Sequence, residues 1–470
     1  MPPSQPPAEK IPAPSTQLNR SLGLFTSVLL VAGIMIGSGT FKKIAPMAQQ
    51  LKAEKYILLA WICAGMITMI GAFTYAGLAT STSRTGGIYE YLRLAFGDFI
   101  SFLFGWSFFT IAGSGAIAAL AFIFSESVNS LVGFPNPLAA FSQISIGHFV
   151  FPFADSGVKL FSIFVVTGLT ALNLRGIKPG ALLNNIVTIA KISGILLLMV
   201  AGFLYARPIT ALPAHPVPAV SSQAFVSSFL AAMLSALWAY DGWANITFIT
   251  GEIKNPQKNL PLAIVGGVCI ATLLYVLVNY SFMQVLSPAE LAATPQNQIA
   301  GVRVAGVVMG PAGTVIISLL IMTCTFGAVN ACIMVYPRLY YRMAQENRFF
   351  RRASGIHPRF RTPHIALYWS GAWSCVLIVS GTFDLLTNLV VFSTYIFFGL
   401  TGWGLIKLKR KGLITAKVPG YPVTPVLFIL FAAALVINTL ITEPQQSITG
   451  LLLVLSGIPF YGYFKSRNRV

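Results

Sequence analysis

Gly33-Ile34-Met35-Ile36-Gly37-Ser38-Gly39-Thr40 lies inside the first long apolar run of the chain, where a membrane helix would ordinarily carry Leu, Ile and Val. Glycine in a helix interior costs roughly 1 kcal/mol relative to alanine. Two glycines around a serine therefore predict that the helix opens here. An opened helix at membrane depth exposes N–H and C=O groups, which is tolerated only against protein or a water-filled cavity. Gly37-Ser38-Gly39 thus reads as a binding site made of main chain.

The chain around it suits that reading. Its 470 residues are 56% apolar and 9% charged, which excludes an ordinary soluble domain and indicates a polytopic membrane protein. Runs long enough to span fall near 24–46, 56–80, 98–126, 157–174, 182–205, 224–250, 261–286, 310–338, 365–382, 386–407, 423–442 and 446–464. The expected fold is all-α with 12 transmembrane helices. Gly86 to Gly97 is amphipathic and is expected to extend the third span as a tilted start. Residues 1–20 are Pro-rich and polar and read as a disordered tail with no signal peptide.

The net charge of +19 would suit nucleic acid, but its placement argues for topology. With the termini inside, 23 of the 31 basic residues fall on inner segments, seven of them arginines between Arg338 and Arg361. Lys42, Lys43, Lys52, Lys55, Lys159, Arg207 and Arg303 fall outside, and Lys191 lies within a span. This asymmetry predicts cytoplasmic termini and no nucleic-acid partner. The five cysteines all sit in apolar runs, so no disulfide framework is expected. The four histidines sit in expected loops, which leaves no metal site or cofactor to argue for.

A second break appears in span six, at Ser235-Ala236-Leu237-Trp238-Ala239-Tyr240-Asp241-Gly242-Trp243. Spans one and six are five apart and enter from opposite sides. That is the pattern of two five-helix repeats of inverted topology with interrupted first helices. The expected units are a tail at 1–20, a first repeat at 21–205, a second at 224–410, two further spans at 422–464 and a C-terminus at 465–470. The half-helix after Gly37-Ser38-Gly39 presents free N–H groups and suits a carboxylate. The half-helix ending near Trp238 presents carbonyls and suits an ammonium. Together they match the main chain of an α-amino acid.

Other residues are marked but less determined. Lys191 lies about 13 Å into span five at 1.5 Å per residue. It is either a functional cation tied to exposed carbonyls of span one or a snorkelling side chain. Asp241 is a candidate substrate ligand, proton carrier or local acceptor for freed N–H groups. Trp238 is a candidate aromatic gate or a packed interfacial ring. Glu126, near the outer end of span three, is expected to be solvated. Thr323, Thr325, Gly327, Asn330 and Cys332 of span eight form a small, polar face. Gly113-Ser114-Gly115 in span three and Ser393, Thr394 and Tyr395 in span ten are candidate pocket wall.

These residues carry a resemblance. The chain is similar to the amino acid–polyamine–organocation superfamily, with its LeuT-like fold, and within it to the L-amino-acid transporter family. The match rests on Ile36-Gly37-Ser38-Gly39-Thr40, Thr85-Gly86-Gly87-Ile88-Tyr89-Glu90-Tyr91, Trp238-Ala239-Tyr240-Asp241-Gly242-Trp243 and Gly251-Glu252-Ile253-Lys254-Asn255-Pro256. The resemblance implies a carboxylate on the N–H groups of Ser38, Gly39 and Thr40, and an ammonium on carbonyls of Met35, Trp238 and Asp241. It implies that Ile36 and Ala239 belong to the same substrate site, that Gly242 and Thr394 shape the side-chain pocket, and that Trp238 is the gate. Lys191 matches a lysine of sodium-independent members, which are usually exchangers of neutral amino acids. Members with a disulfide-linked heavy chain carry a Cys after span three; residues 127–156 have none, so no such partner is expected. Asp241 departs from the glycine of the best-known animal members.

The resulting expectation is a sodium-independent exchanger of neutral L-amino acids in a plasma membrane, taken as a bacterial inner membrane, working by alternating access. Proton-coupled uptake of amino acids or polyamines is the alternative. An enzyme would want clustered His, Asp or Glu within the spans, and a channel a polar stripe along several of them; neither pattern is found.

Overall fold

Helix boundaries follow the apolar runs closely. The computed structural model describes residues 20–82, 86–145, 151–205, 222–295, 298–380 and 383–466. The expected tail up to residue 19, the last four residues, and Thr85 of the quoted motif lie outside the described residues. Among those described, eleven helices are long and apolar enough to cross a membrane. A shorter apolar helix, His364–Ser380, stands where the ninth span was expected.

Both anticipated breaks are present. Span one runs as Leu24–Met35, leaves helical hydrogen bonding at Ile36-Gly37-Ser38, and resumes as Gly39–Lys42 and Ile44–Leu51. Span six runs as Ser222–Tyr240, turns through Asp241 to Ala244, and continues as a 3₁₀ segment, Asn245–Glu252. The second turn needs Gly242, whose φ of +95° lies in the left-handed region. The broken helices cross antiparallel: Leu24–Met35 packs against Asn245–Glu252, while Ile44–Leu51 packs against Ser222–Tyr240. Hydrogen bonds close one end, where the N–H groups of Ser21 and Leu22 each donate to the Glu252 carbonyl at 3.0 Å and that of Lys254 to the Leu22 carbonyl at 2.8 Å.

The other spans wrap this pair unequally. The most apolar window of span three is 94% buried, against 28% in each of spans eleven and twelve. Span three, Asp98 to Val132, therefore lines the centre, and the last two spans form the flank. Leu24–Met35 is held by Ile177–Tyr205, Pro256–Val285 and Ala300–Val335.

Three expectations are corrected. The amphipathic stretch before span three is a separate helix, Ile88–Phe96, cut off by Gly97 at φ +86°; a left-handed residue ends one helix before the next begins. Span eight starts ten residues earlier than its apolar run suggested. It runs Ala300–Val335, with a kink at Gly310 (φ +62°) before Pro311, because a proline at that point removes one helical hydrogen bond without ending the helix. Glu126 is not simply solvated, since Lys42 Nζ lies 3.2 Å from its carboxylate.

Candidate functional site

The opened segment of span one leaves donors without acceptors. The N–H groups of Ser38, Gly39 and Thr40 donate to no backbone carbonyl among the described residues. The Ser38 hydroxyl is buried with no hydrogen-bond partner. Four donors thus converge at the start of a half-helix, where the dipole is positive. Unsatisfied buried donors cost about 1–3 kcal/mol each, so the arrangement is poised for an acceptor.

The half-helix ending at Tyr240 faces them across a tight cavity. It is lined by Ile34, Met35, Gly37, Ser38 and Gly39 from span one and by Trp238, Ala239 and Asp241 from span six. Ala116 and Leu120 of span three and Cys332 and Tyr336 of span eight complete the wall. The cavity is only ≈ 20 Å³, room for about one water. The helices approach this closely because of glycine: a Cβ on Gly39 would stand 2.6 Å from Ala239 Cα.

Of the residues singled out from sequence, Met35, Gly37, Ser38, Gly39, Trp238, Ala239, Asp241 and Cys332 meet at the cavity. The others are placed beside it. The Ile36 carbonyl turns to Lys191, and the Thr40 hydroxyl accepts from Asn279 at 3.1 Å. Gly242 forms the turn below, against Ile34. Thr394 is buried in span ten and is not among the residues that line the cavity.

Two side chains hold the breaks open. Lys191 is fully buried, and its Nζ donates to the carbonyls of Gly33 (2.6 Å) and Ile36 (2.7 Å). These are carbonyls that the interruption frees. An ammonium reaching two backbone oxygens is not snorkelling. Tyr275 of span seven places its hydroxyl 2.7 Å from the Met35 carbonyl and 2.9 Å from the Ala239 carbonyl. One O–H bridges the ends of both half-helices, donating to one carbonyl at a time. The Met35 carbonyl also receives the Gly37 N–H at 2.8 Å, and the Trp238 carbonyl that of Asp241 at 3.2 Å.

Span eight contributes in two ways. Asn330 is structural glue: its carbonyl oxygen accepts from Asn173 at 2.8 Å and its amide donates to Gly180. Six residues on, Tyr336 takes the Asn245 amide at 3.1 Å and Cys332 Sγ at 3.1 Å. Ala116, Leu120, Tyr336 and Ile34 were not singled out from sequence. Ala116 follows the marked Gly113-Ser114-Gly115, and Tyr336 lies four residues past Cys332, so helical spacing was the available signal.

The two approaches to the cavity differ. On one side a vestibule of ≈ 510 Å³ is lined by Lys42, Lys43, Ala231, Leu234 and Ser235 among others. Trp238 lies one helical turn below Leu234 and separates it from the cavity. On the other side the chain is sealed. Glu90 receives Arg342 at 2.6 Å and Arg93 at 3.0 Å, and Glu252 receives Arg338 at 3.0 Å. The Gly86 N–H donates to the Phe248 carbonyl at 3.3 Å, docking the helix Ile88–Phe96 onto the lower half of span six.

Comparison with known proteins agrees with this architecture. A serine/threonine exchanger, SteT, of Bacillus subtilis (strain 168) is 31% identical over 456 residues, 96% of this chain and 98% of the relative. A b(0,+)-type amino acid transporter 1 of Homo sapiens is 31% identical over 457 residues, 96% of this chain and 89% of its own. A large neutral amino acids transporter small subunit 2 of Mus musculus is 28% identical over 94% of this chain and 81% of its own. The family model described as amino acid permease matches residues 22–463. With two opened helices at its centre and a match over nearly its whole length, the chain belongs to the amino acid permease family.

Proposed function

We propose that the chain exchanges neutral L-amino acids without sodium, by alternating access around the two opened helices. It is an amino acid antiporter and not an enzyme, as its family and relatives indicate. The observation that carries the site is the set of orphaned donors, three N–H groups and the Ser38 hydroxyl, facing the end of the opposite half-helix. The substrate carboxylate binds Ser38, Gly39 and Thr40. Its ammonium binds the carbonyls of Trp238 and Asp241, and that of Met35 when Tyr275 turns to Ala239. Ile36, Ala239, Gly242 and Thr394 shape the surroundings, and Trp238 closes the outer face.

The ≈ 20 Å³ cavity cannot hold an amino acid, so binding requires the half-helices to part. Lys191 places its side-chain amine on freed carbonyls of span one, which removes the need for a sodium ion there. We assign the multi-pass chain to a plasma membrane, taken as a bacterial inner membrane, and place both ends in the cytoplasm on the strength of its basic residues. It is further proposed to work without a disulfide-linked partner, since residues 127–156 carry no Cys.

The test is thermal protection of the purified chain. A free amino acid should raise Tm, while its amide and its decarboxylated analogue should do so far less. Equal protection by the analogues would sink the carboxylate site. Asp241 in the cavity wall favours one second reading, proton-coupled uptake. Net accumulation into substrate-free liposomes under a pH gradient alone would select it over exchange.

A further inference from the structure

Seven arginines lie between Arg338 and Arg361, with a single acid, Glu346, among them. Three belong to the seal: Arg338 and Arg342 as described, and Arg348 on Asp98. Glu346 is committed there too, to Arg342 and Arg93. Arg351, Arg352, Arg359 and Arg361 are exposed. Arg351 and Arg361, ten residues apart, come together on a cleft of ≈ 650 Å³. Its wall adds hydrogen-bonding groups from Tyr341, Gln345, Asn347 and Ser354, and no carboxylate. Two guanidiniums and neutral hydrogen-bonding groups, on a wall whose described residues carry no carboxylate, are suited to a phosphate group.

The depth of the cleft selects the source of that phosphate. Arg361 lies three residues before helix His364–Ser380, and Tyr368 and Trp369 near its start are 55% and 37% exposed. The Trp369 ring stacks on Phe350, next to Arg351, at 4.7 Å. Exposed aromatic rings at the entry of an apolar helix mark the headgroup level of a bilayer. A cleft opening beside them lies within reach of the leaflet, where basic pockets hold anionic lipid headgroups.

We propose that this cleft binds the phosphate of an anionic phospholipid, with Arg351 and Arg361 as its principal ligands. The site lies on the same side as the ion-pair seal and is separate from the transport cavity. An occupant would brace the helix that carries Arg342 and the turn after it that carries Arg348.

The experiment is native mass spectrometry of the full-length chain with phosphatidylglycerol, with phosphatidylcholine of the same acyl chains, and with inorganic phosphate or glycerol 3-phosphate. Phosphatidylglycerol should be retained, and Arg351→Gln with Arg361→Asn should weaken retention roughly fivefold per arginine removed. Asn is chosen at 361 because the φ there is +55°. Arg351→Lys should restore most of the binding, and Lys411→Gln with Lys417→Gln, on an exposed loop elsewhere, should leave it unchanged. Retention of phosphatidylglycerol by the double arginine variant at the native level would overturn the site. So would equal retention of phosphatidylcholine. Binding of the soluble phosphates as tightly as the lipid would overturn the lipid assignment in favour of a free anion.

Discussion

Lys191 shows how one side chain can substitute for a missing turn of helix. Its ammonium occupies the carbonyls of Gly33 and Ile36, which the interruption at Gly37 leaves without N–H partners. Lys191→Ala removes the cation and leaves both oxygens buried. Exchange should fall at least about tenfold while the chain still folds, with a cost of about 1–3 kcal/mol per orphaned group; counterflow in liposomes and a thermal melt read the two effects apart. Unchanged exchange would reduce Lys191 to a packing residue. Gly39 acts through what it lacks. A methyl there would stand 2.6 Å from Ala239 Cα, so Gly39→Ala must push the half-helices apart, at about 1–3 kcal/mol. The expected result is a closed state that no longer forms and exchange that is lost without loss of expression. The glycines and the lysine were legible in the sequence because their residue types are costly inside a span and so point to a function. Tyr275 was not, since a tyrosine in an apolar helix looks like any other core ring until its hydroxyl is seen between two carbonyls.

Among the elements, the antiparallel crossing of spans one and six matters most. Both half-helix ends meet at one hydroxyl, that of Tyr275, so the breaks are coupled before any substrate arrives. Tyr275→Phe should uncouple them, weakening apparent substrate affinity about fivefold to tenfold, the scale of one buried hydrogen bond; the concentration dependence of counterflow would reveal it. The short helix Ile88–Phe96 is the second decisive element. Its buried Glu90 takes both Arg342 and Arg93, with one carboxylate holding the two arginines of the seal. Glu90→Gln leaves the shape and removes the charge. Hydrogen bonds to a charged group are worth about 1.5–3 kcal/mol, so the closed side should open roughly tenfold more often. Cys332, buried in the cavity wall, is a native reporter: its labelling by an impermeant thiol reagent from the sealed side should accelerate to that extent. An unchanged rate would mean that the seal depends on Arg338 and Glu252 instead.

At the scale of the molecule, the protein is held with an open vestibule on one side, a nearly closed centre and an ion-paired floor on the other. An exchanger needs such asymmetry, because only one face is open at a time. Much of this was legible without coordinates. Composition determined a membrane chain, apolar runs located its helices, and glycine with serine in a span marked the two openings, since a local backbone cost is written in local residue types. The rest was decided only by tertiary packing. Lys42 meets Glu126 from 84 positions away, Arg342 meets Glu90 from 252 positions away, and Ala116, Leu120 and Tyr336 reach the cavity from spans three and eight. Nothing in the residue types of Ala116 and Leu120 distinguishes them from their neighbours on the same helix, and no charge in the sequence names its distant partner. Which face of a helix turns inward depends on the helices packed around it, and that arrangement exists only once the whole chain has folded.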